Sequence, residues 1–84
     1  MDDFVLGQGA TAEMRGINVS VFVTEEGWNY RFATESGEEV EGPCGPYVQR
    51  QEEAQVDAVR AAMGHLDCIG DPLAESLSLH WHPL

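Results

Sequence analysis

Four side chains near the C-terminal end could in principle share a metal ion: His65-x-x-Cys68 and His80-x-His82. Imidazole nitrogen and thiolate sulfur are the ordinary zinc ligands, and side chains two apart on a strand share a face, so His80 and His82 could reach one ion together. The set lacks a second Cys-x-x-Cys or a matching His pair, which known zinc modules carry. The reading is therefore no metal and no cofactor, with a small metal-stabilised domain using His65, Cys68, His80 and His82 as an alternative. Cys44 lies in Gly42-Pro43-Cys44-Gly45-Pro46, a loop in which a thiol could stand exposed, but no strand-to-helix nucleophile elbow surrounds it. Paired carboxylates are too abundant to be diagnostic of acid–base catalysis. The chain reads as a non-enzyme.

That abundance is itself the strongest signal. Fifteen acidic residues stand against four arginines and no lysine in 84 residues, a formal net charge of −11. Such a chain repels a nucleic acid backbone, and it carries no glycine-rich phosphate loop, so direct DNA or RNA binding is excluded. The length permits one domain with one small core and no large catalytic cleft. The apolar stretches are too short to cross a bilayer. Met1-Asp2-Asp3-Phe4 lacks the basic start of a secretory signal, so the expectation is a cytoplasmic, intracellular protein with Cys44 and Cys68 reduced.

The elements that must position these residues follow from periodicity. Residues 1–16 read as a loose N-terminal arm in which Ala10, Ala12 and Met14 alternate with Thr11, Glu13 and Arg15, compatible with a short strand ending at an Arg15-Gly16 turn. Residues 17–84 read as a single domain. Ile17, Val19, Val21 and Val23 alternate with Asn18, Ser20, Phe22 and Thr24, which predicts a strand with one side in the core. Glu25-Glu26-Gly27 gives a tight turn, and Trp28, Tyr30 and Phe32 alternate with Asn29, Arg31 and Ala33 in a second strand. A turn at Glu35-Ser36-Gly37-Glu38 leads to a short edge strand around Glu39, Val40 and Glu41.

The prolines and glycines of 42–46 end the sheet. A helix is predicted from about Arg50 to Met63, with Val48, Val56, Val59, Met63 and Leu66 along one stripe and Gly64 as terminator. Ala54, Ala58 and Ala61 form a second, small-residue stripe, read as helix propensity. Asp71-Pro72 predicts one short helical turn. After it, Leu77, Leu79 and Trp81 alternate with Ser76, Ser78, His80 and His82, predicting a final strand. The expected fold is α+β: a small antiparallel sheet of roughly three to five strands with one main helix packed on one face, in the order strand, strand, strand, helix, strand.

On that framework Glu25, Glu26, Glu35, Glu38, Glu39 and Glu41 fall at two hairpin turns and an edge strand, and Glu52, Glu53 and Asp57 on one flank of the helix. These nine are the candidate partner-binding residues. They form an acidic rim able to imitate nucleic acid phosphates in the basic channel of a DNA- or RNA-binding protein, with Trp28, Tyr30 or Trp81 as aromatic anchors. The bland alternative is a solvated coat that serves solubility. A homodimer is compatible with the pattern.

In size, acidity and strand–helix order the chain is similar to small phage-encoded inhibitors of bacterial defence of the anti-CRISPR kind, several of which act as nucleic acid mimics. That resemblance implies a DNA mimic acting inside a bacterial host cell. The segment from Val19 to Leu66, with Glu25-Glu26-Gly27-Trp28-Asn29-Tyr30 in the hairpin and Glu52-Glu53-Ala54 opening the helix, resembles the sheet-and-helix half of HicB-type antitoxins. Gly45-Pro46-Tyr47 replaces the usual Gly-Asp-Thr approach to the helix, and no DNA-binding segment follows. This second resemblance implies an antitoxin or immunity-type protein that neutralises a basic nuclease. Both imply a protein–protein interaction and a basic, nucleic-acid-binding partner.

Overall fold

The computed structural model describes residues 9–84. Alternation of small apolar with polar residues makes β1 (Gly9–Met14), which turns through Arg15 and Gly16 into β2 (Ile17–Thr24). Both turn residues have positive φ, 52° and 87°. That is the two-residue turn whose twist suits a hairpin, and glycine takes its second position without strain. β3 (Gly27–Ala33) and β4 (Glu39–Pro43) extend the meander, and β5 (His82–Pro83) pairs with the free side of β1. All neighbours are antiparallel, in the order β4-β3-β2-β1-β5. The α+β expectation with one main helix holds. The arm expected over residues 1–16 lies partly outside the described residues, but from Gly9 onward the chain is an interior strand. Ala10, Ala12 and Met14 are almost wholly buried, so the sheet begins before residue 17.

One face of the sheet carries Ala10, Ala12, Met14, Ile17, Val19, Val21 and Phe32 into the core. Helix α1 (Gln51–Leu66) lies across β2 and β3 on that face. Its fully buried positions are Ala54, Ala58, Val59 and Ala62, with Met63 nearly so, while Val48, Val56 and Leu66 are only half-buried. Ala54, Ala58 and Ala62 thus form the contact face, whereas Ala61 of the expected small-residue stripe is only half-buried. Methyl side chains let the helix axis sit close to a sheet already filled by valines, Met14 and Phe32.

Two expectations are corrected. Gly64 does not end α1: the helix runs to Leu66, and Asp67 takes the left-handed conformation at φ 60°. Asp67 N–H bonds Gly64 O at 3.2 Å and Cys68 N–H bonds Met63 O at 2.9 Å, the Schellman arrangement. Beyond the glycine, the His65 and Phe32 rings meet edge to face with their centres 5.5 Å apart. The final strand over 77–82 is also replaced. Asp71 caps a second helix, α2 (Pro72–Ser78), by accepting from Leu73 N–H at 3.1 Å. Arg15 holds Glu75 of that helix through two bonds of 3.2 Å. These contacts outweigh the alternation of Leu77, Leu79 and Trp81, leaving only His82 and Pro83 in the sheet. Trp81 donates its indole N–H to Ser76 O at 3.0 Å and folds back under α2.

Candidate functional site

Because α1 covers one face, the other face of the sheet is open. Strand pairing lines up Glu41, Arg31, Ser20, Thr11 and His82 in one row across all five strands, and Glu39, Ala33, Asn18 and Glu13 in the next. Residues opposite one another in antiparallel strands share a face. Ser20 Oγ donates to Thr11 Oγ1 at 3.0 Å, and Thr11 Oγ1 donates to Val19 O at 3.2 Å. The Arg31 guanidinium lies 5.1 Å from the centre of the Phe22 ring and 3.7 Å from Glu41 Oε1. Both ends of that ion pair are about half exposed, 48% and 56%, so water screens it strongly.

The β2–β3 turn holds Glu25 and Glu26 in place through Thr24, whose hydroxyl accepts from Glu26 N–H at 3.2 Å and from Asn29 Nδ2 at 3.0 Å. Glu25, Glu26 and Glu41, with Thr24 and Asn29, line a shallow groove of about 370 Å³. Glu35 and Glu38 occupy the turn at the far end of β3, where Thr34 N–H bonds Glu38 O at 2.7 Å. Glu39 and Glu41 on β4 run between the two turns. Six of the nine candidate acids therefore follow one sheet edge, from the β3–β4 turn along β4 to the β2–β3 turn.

The helix acids belong to the other layer. Glu52 is exposed on the first turn of α1. Glu53 Oε1 accepts from the backbone N–H of Gln49 at 2.9 Å and of Arg50 at 3.2 Å, and those bonds hold its carboxyl below the usual range. Asp57 accepts 2.7 Å bonds from Gly45 N–H and from Arg60 Nη1. Glu53 and Asp57 thus fasten the approach to α1. Each of the four arginines pairs with a carboxylate of its own chain: Arg15 with Glu75, Arg31 with Glu41, Arg50 with Glu53 and Arg60 with Asp57. Among the described residues Glu25, Glu26, Glu35, Glu38, Glu39 and Glu52 have no arginine partner, and their charge faces solvent.

The chemistry-bearing set read from the sequence is not assembled. Among the described residues no three His, Cys, Asp or Glu side chains converge as metal ligands. His65 is engaged with Phe32, while His80 and His82 stand 6.5 Å apart on the open-face side, beside Glu13, Asn18 and Thr11 in a second groove of about 430 Å³. Cys44 is buried at 8% exposure, contrary to an exposed loop thiol. Its N–H bonds Trp28 O at 2.9 Å, which tucks the loop under the sheet end. Burial, with the charge of Asp57 beside it, pushes the thiol up to about 11. It is protonated at neutral pH and a poor nucleophile.

The aromatic anchors are also committed: Trp28, Tyr30 and Trp81 are half-buried against the core. Among the described residues Phe22 is the aromatic side chain of the open face, and Glu13 adds an acid to it. Both were visible in the alternation of their strands, but Glu13 acquires a place only once β1 is known to be interior. No helix of the described residues is long and apolar enough to cross a membrane. No protein-family model, curated protein or solved structure matches the chain.

Proposed function

We propose that this protein is a non-enzymatic acidic binding protein that occupies the basic site of a nucleic-acid-binding protein or complex and so inhibits it, as a nucleic acid mimic of the anti-CRISPR type would. The observation that carries the reading is the glutamate edge from Glu35 through Glu39 and Glu41 to Glu26, on a chain whose arginines are all spent internally. Glutamates two apart on a strand repeat at roughly 7 Å. Strand pairing fixes that spacing before any partner arrives, so little ordering cost remains for association. Opposite charge steers encounter with a lysine- and arginine-lined channel and makes binding sensitive to salt.

On this reading the protein acts in the cytoplasm of the cell that holds its target, and a basic nuclease neutralised by an antitoxin falls within the same partner class. The test is charge reversal at Glu38, Glu39 and Glu41, combined with capture of the partner from the native host. The reading expects the captured basic protein to bind the variant at least roughly tenfold more weakly, the loss shrinking as salt rises, with the variant's circular dichroism unchanged. Equal binding of a folded variant would remove the acidic edge from the mechanism.

A further inference from the structure

Among the described residues, three of the large apolar side chains left in solvent belong to one short stretch: Ile69 at 97% exposure, Leu73 at 52% and Leu77 at 77%. Leu73 and Leu77 lie one turn apart on α2, and Ile69 stands in the loop that leads into it. Scattered exposed leucines are unremarkable, but apolar side chains at helical spacing beside an already buried helix face mark a contact surface. The acids around them differ from one another. Glu75 is neutralised by Arg15, whereas Asp67 and Asp71 are exposed with no arginine partner among the described residues.

A second copy is a poor occupant. A mate would bring a second chain of net charge −11 to the same surface, and that like charge opposes self-association there. We infer that α2 and its preceding loop dock a basic amphipathic segment of the partner, Leu73 and Leu77 anchoring its apolar side and Asp67 and Asp71 meeting its flanking lysines or arginines. The inference rests on the reading above only for the partner's positive charge. It gives the two surfaces separate tasks: the glutamate edge governs how fast and how salt-dependently the complex forms, and the α2 stripe governs how long it lasts.

The test uses two synthetic helical peptides of equal length and arginine content, one with leucines along one face and one with serines there. The leucine peptide is expected to bind at least roughly tenfold more tightly, to keep that advantage in half-molar salt, and to lose it against Leu73→Ser/Leu77→Ser. Amide shifts of Ile69, Leu73 and Leu77 in the unaltered protein map the contact whether or not the variant folds. Equal affinity for the two peptides, an advantage that survives in the variant, or shifts confined to the sheet would overturn the inference. So would a wild-type dimer that the variant makes monomeric, which would assign the stripe to a second copy. Binding of the serine peptide, and its loss in Glu25→Gln/Glu26→Gln/Glu41→Gln, reports on the acidic edge alone, so the two readings fail separately.

Discussion

Asp57 on α1 accepts a 2.7 Å hydrogen bond from the backbone N–H of Gly45 in the loop that leaves β4. The bond spans the sheet-to-helix connection, and Arg60 completes the carboxylate's other oxygen at 2.7 Å. Asp57→Ala removes both and leaves the Gly45 amide without its acceptor. A loss of about 1–2 kcal/mol is expected in urea unfolding. Partner affinity measured on the folded variant should change by less than about threefold, because Asp57 serves the fold rather than the acidic edge.

Gly9 carries a different burden. Its φ is +141°, and a methyl group there would meet the Val21 carbonyl oxygen at 2.5 Å and Leu84 Cδ1 at 2.6 Å. Leu84 N–H bonds Gly9 O at 3.4 Å, so the same residue also receives the end of the chain. Gly9→Ala combines backbone strain with a collision against an interior strand. A loss of about 2–4 kcal/mol, read as a lowered denaturation midpoint, is expected.

The buried Cys44 thiol makes stability depend on alkaline pH. Its value is raised from 9.0 to about 11 in the fold, so the native state holds the proton more tightly than the unfolded chain. The contribution is complete below pH 9 and is lost as pH rises through about 11. Stability curves of wild type and Cys44→Val should therefore diverge across that window, with the wild type falling more steeply. In the folded wild type at pH 8, a thiol reagent should modify half-buried Cys68 well before Cys44.

Unpaired glutamates along one edge repel one another. Raising salt from about 10 mM to 150 mM shortens the screening length from roughly 30 Å to 8 Å. The free protein's melting temperature should rise over that range, and more than it does for Glu38→Gln/Glu39→Gln. A wild-type melting temperature insensitive to salt would mean that the carboxylates sit too far apart to interact.

The elements whose residues alternate against a single core were legible in the sequence. Val19 and Val21 against Asn18 and Ser20, and Phe32 against Arg31, define strands because burial on one face alone forces period two. The end of the chain misled for the same reason. Leu77, Leu79 and Trp81 alternate, yet the Asp71 cap, Pro72 and the Arg15 clasp on Glu75 select a helix, and those are local and long-range contacts that hydropathy does not carry. The Ala54, Ala58 and Ala62 face was hard to read because alanine is equally at home on a solvated helix.

Legibility of the site divides similarly. Glu25, Glu26, Glu35, Glu38, Glu39 and Glu41 could be placed from turn and strand register. The structural duties of Glu53 and Asp57 depend on where the backbone amides of Gln49, Arg50 and Gly45 come to rest. Sequence spacing cannot supply that.

The central claim is that the glutamate edge takes the place of nucleic acid on a basic partner. Its most direct measurement is competition: the captured partner, its labelled nucleic acid, and this protein titrated in at fixed salt. Mutually exclusive binding is predicted, with nucleic acid displaced in proportion to the protein bound and displacement abolished by charge reversal at Glu38, Glu39 and Glu41. A ternary complex in which the partner holds both at undiminished affinity would contradict the account.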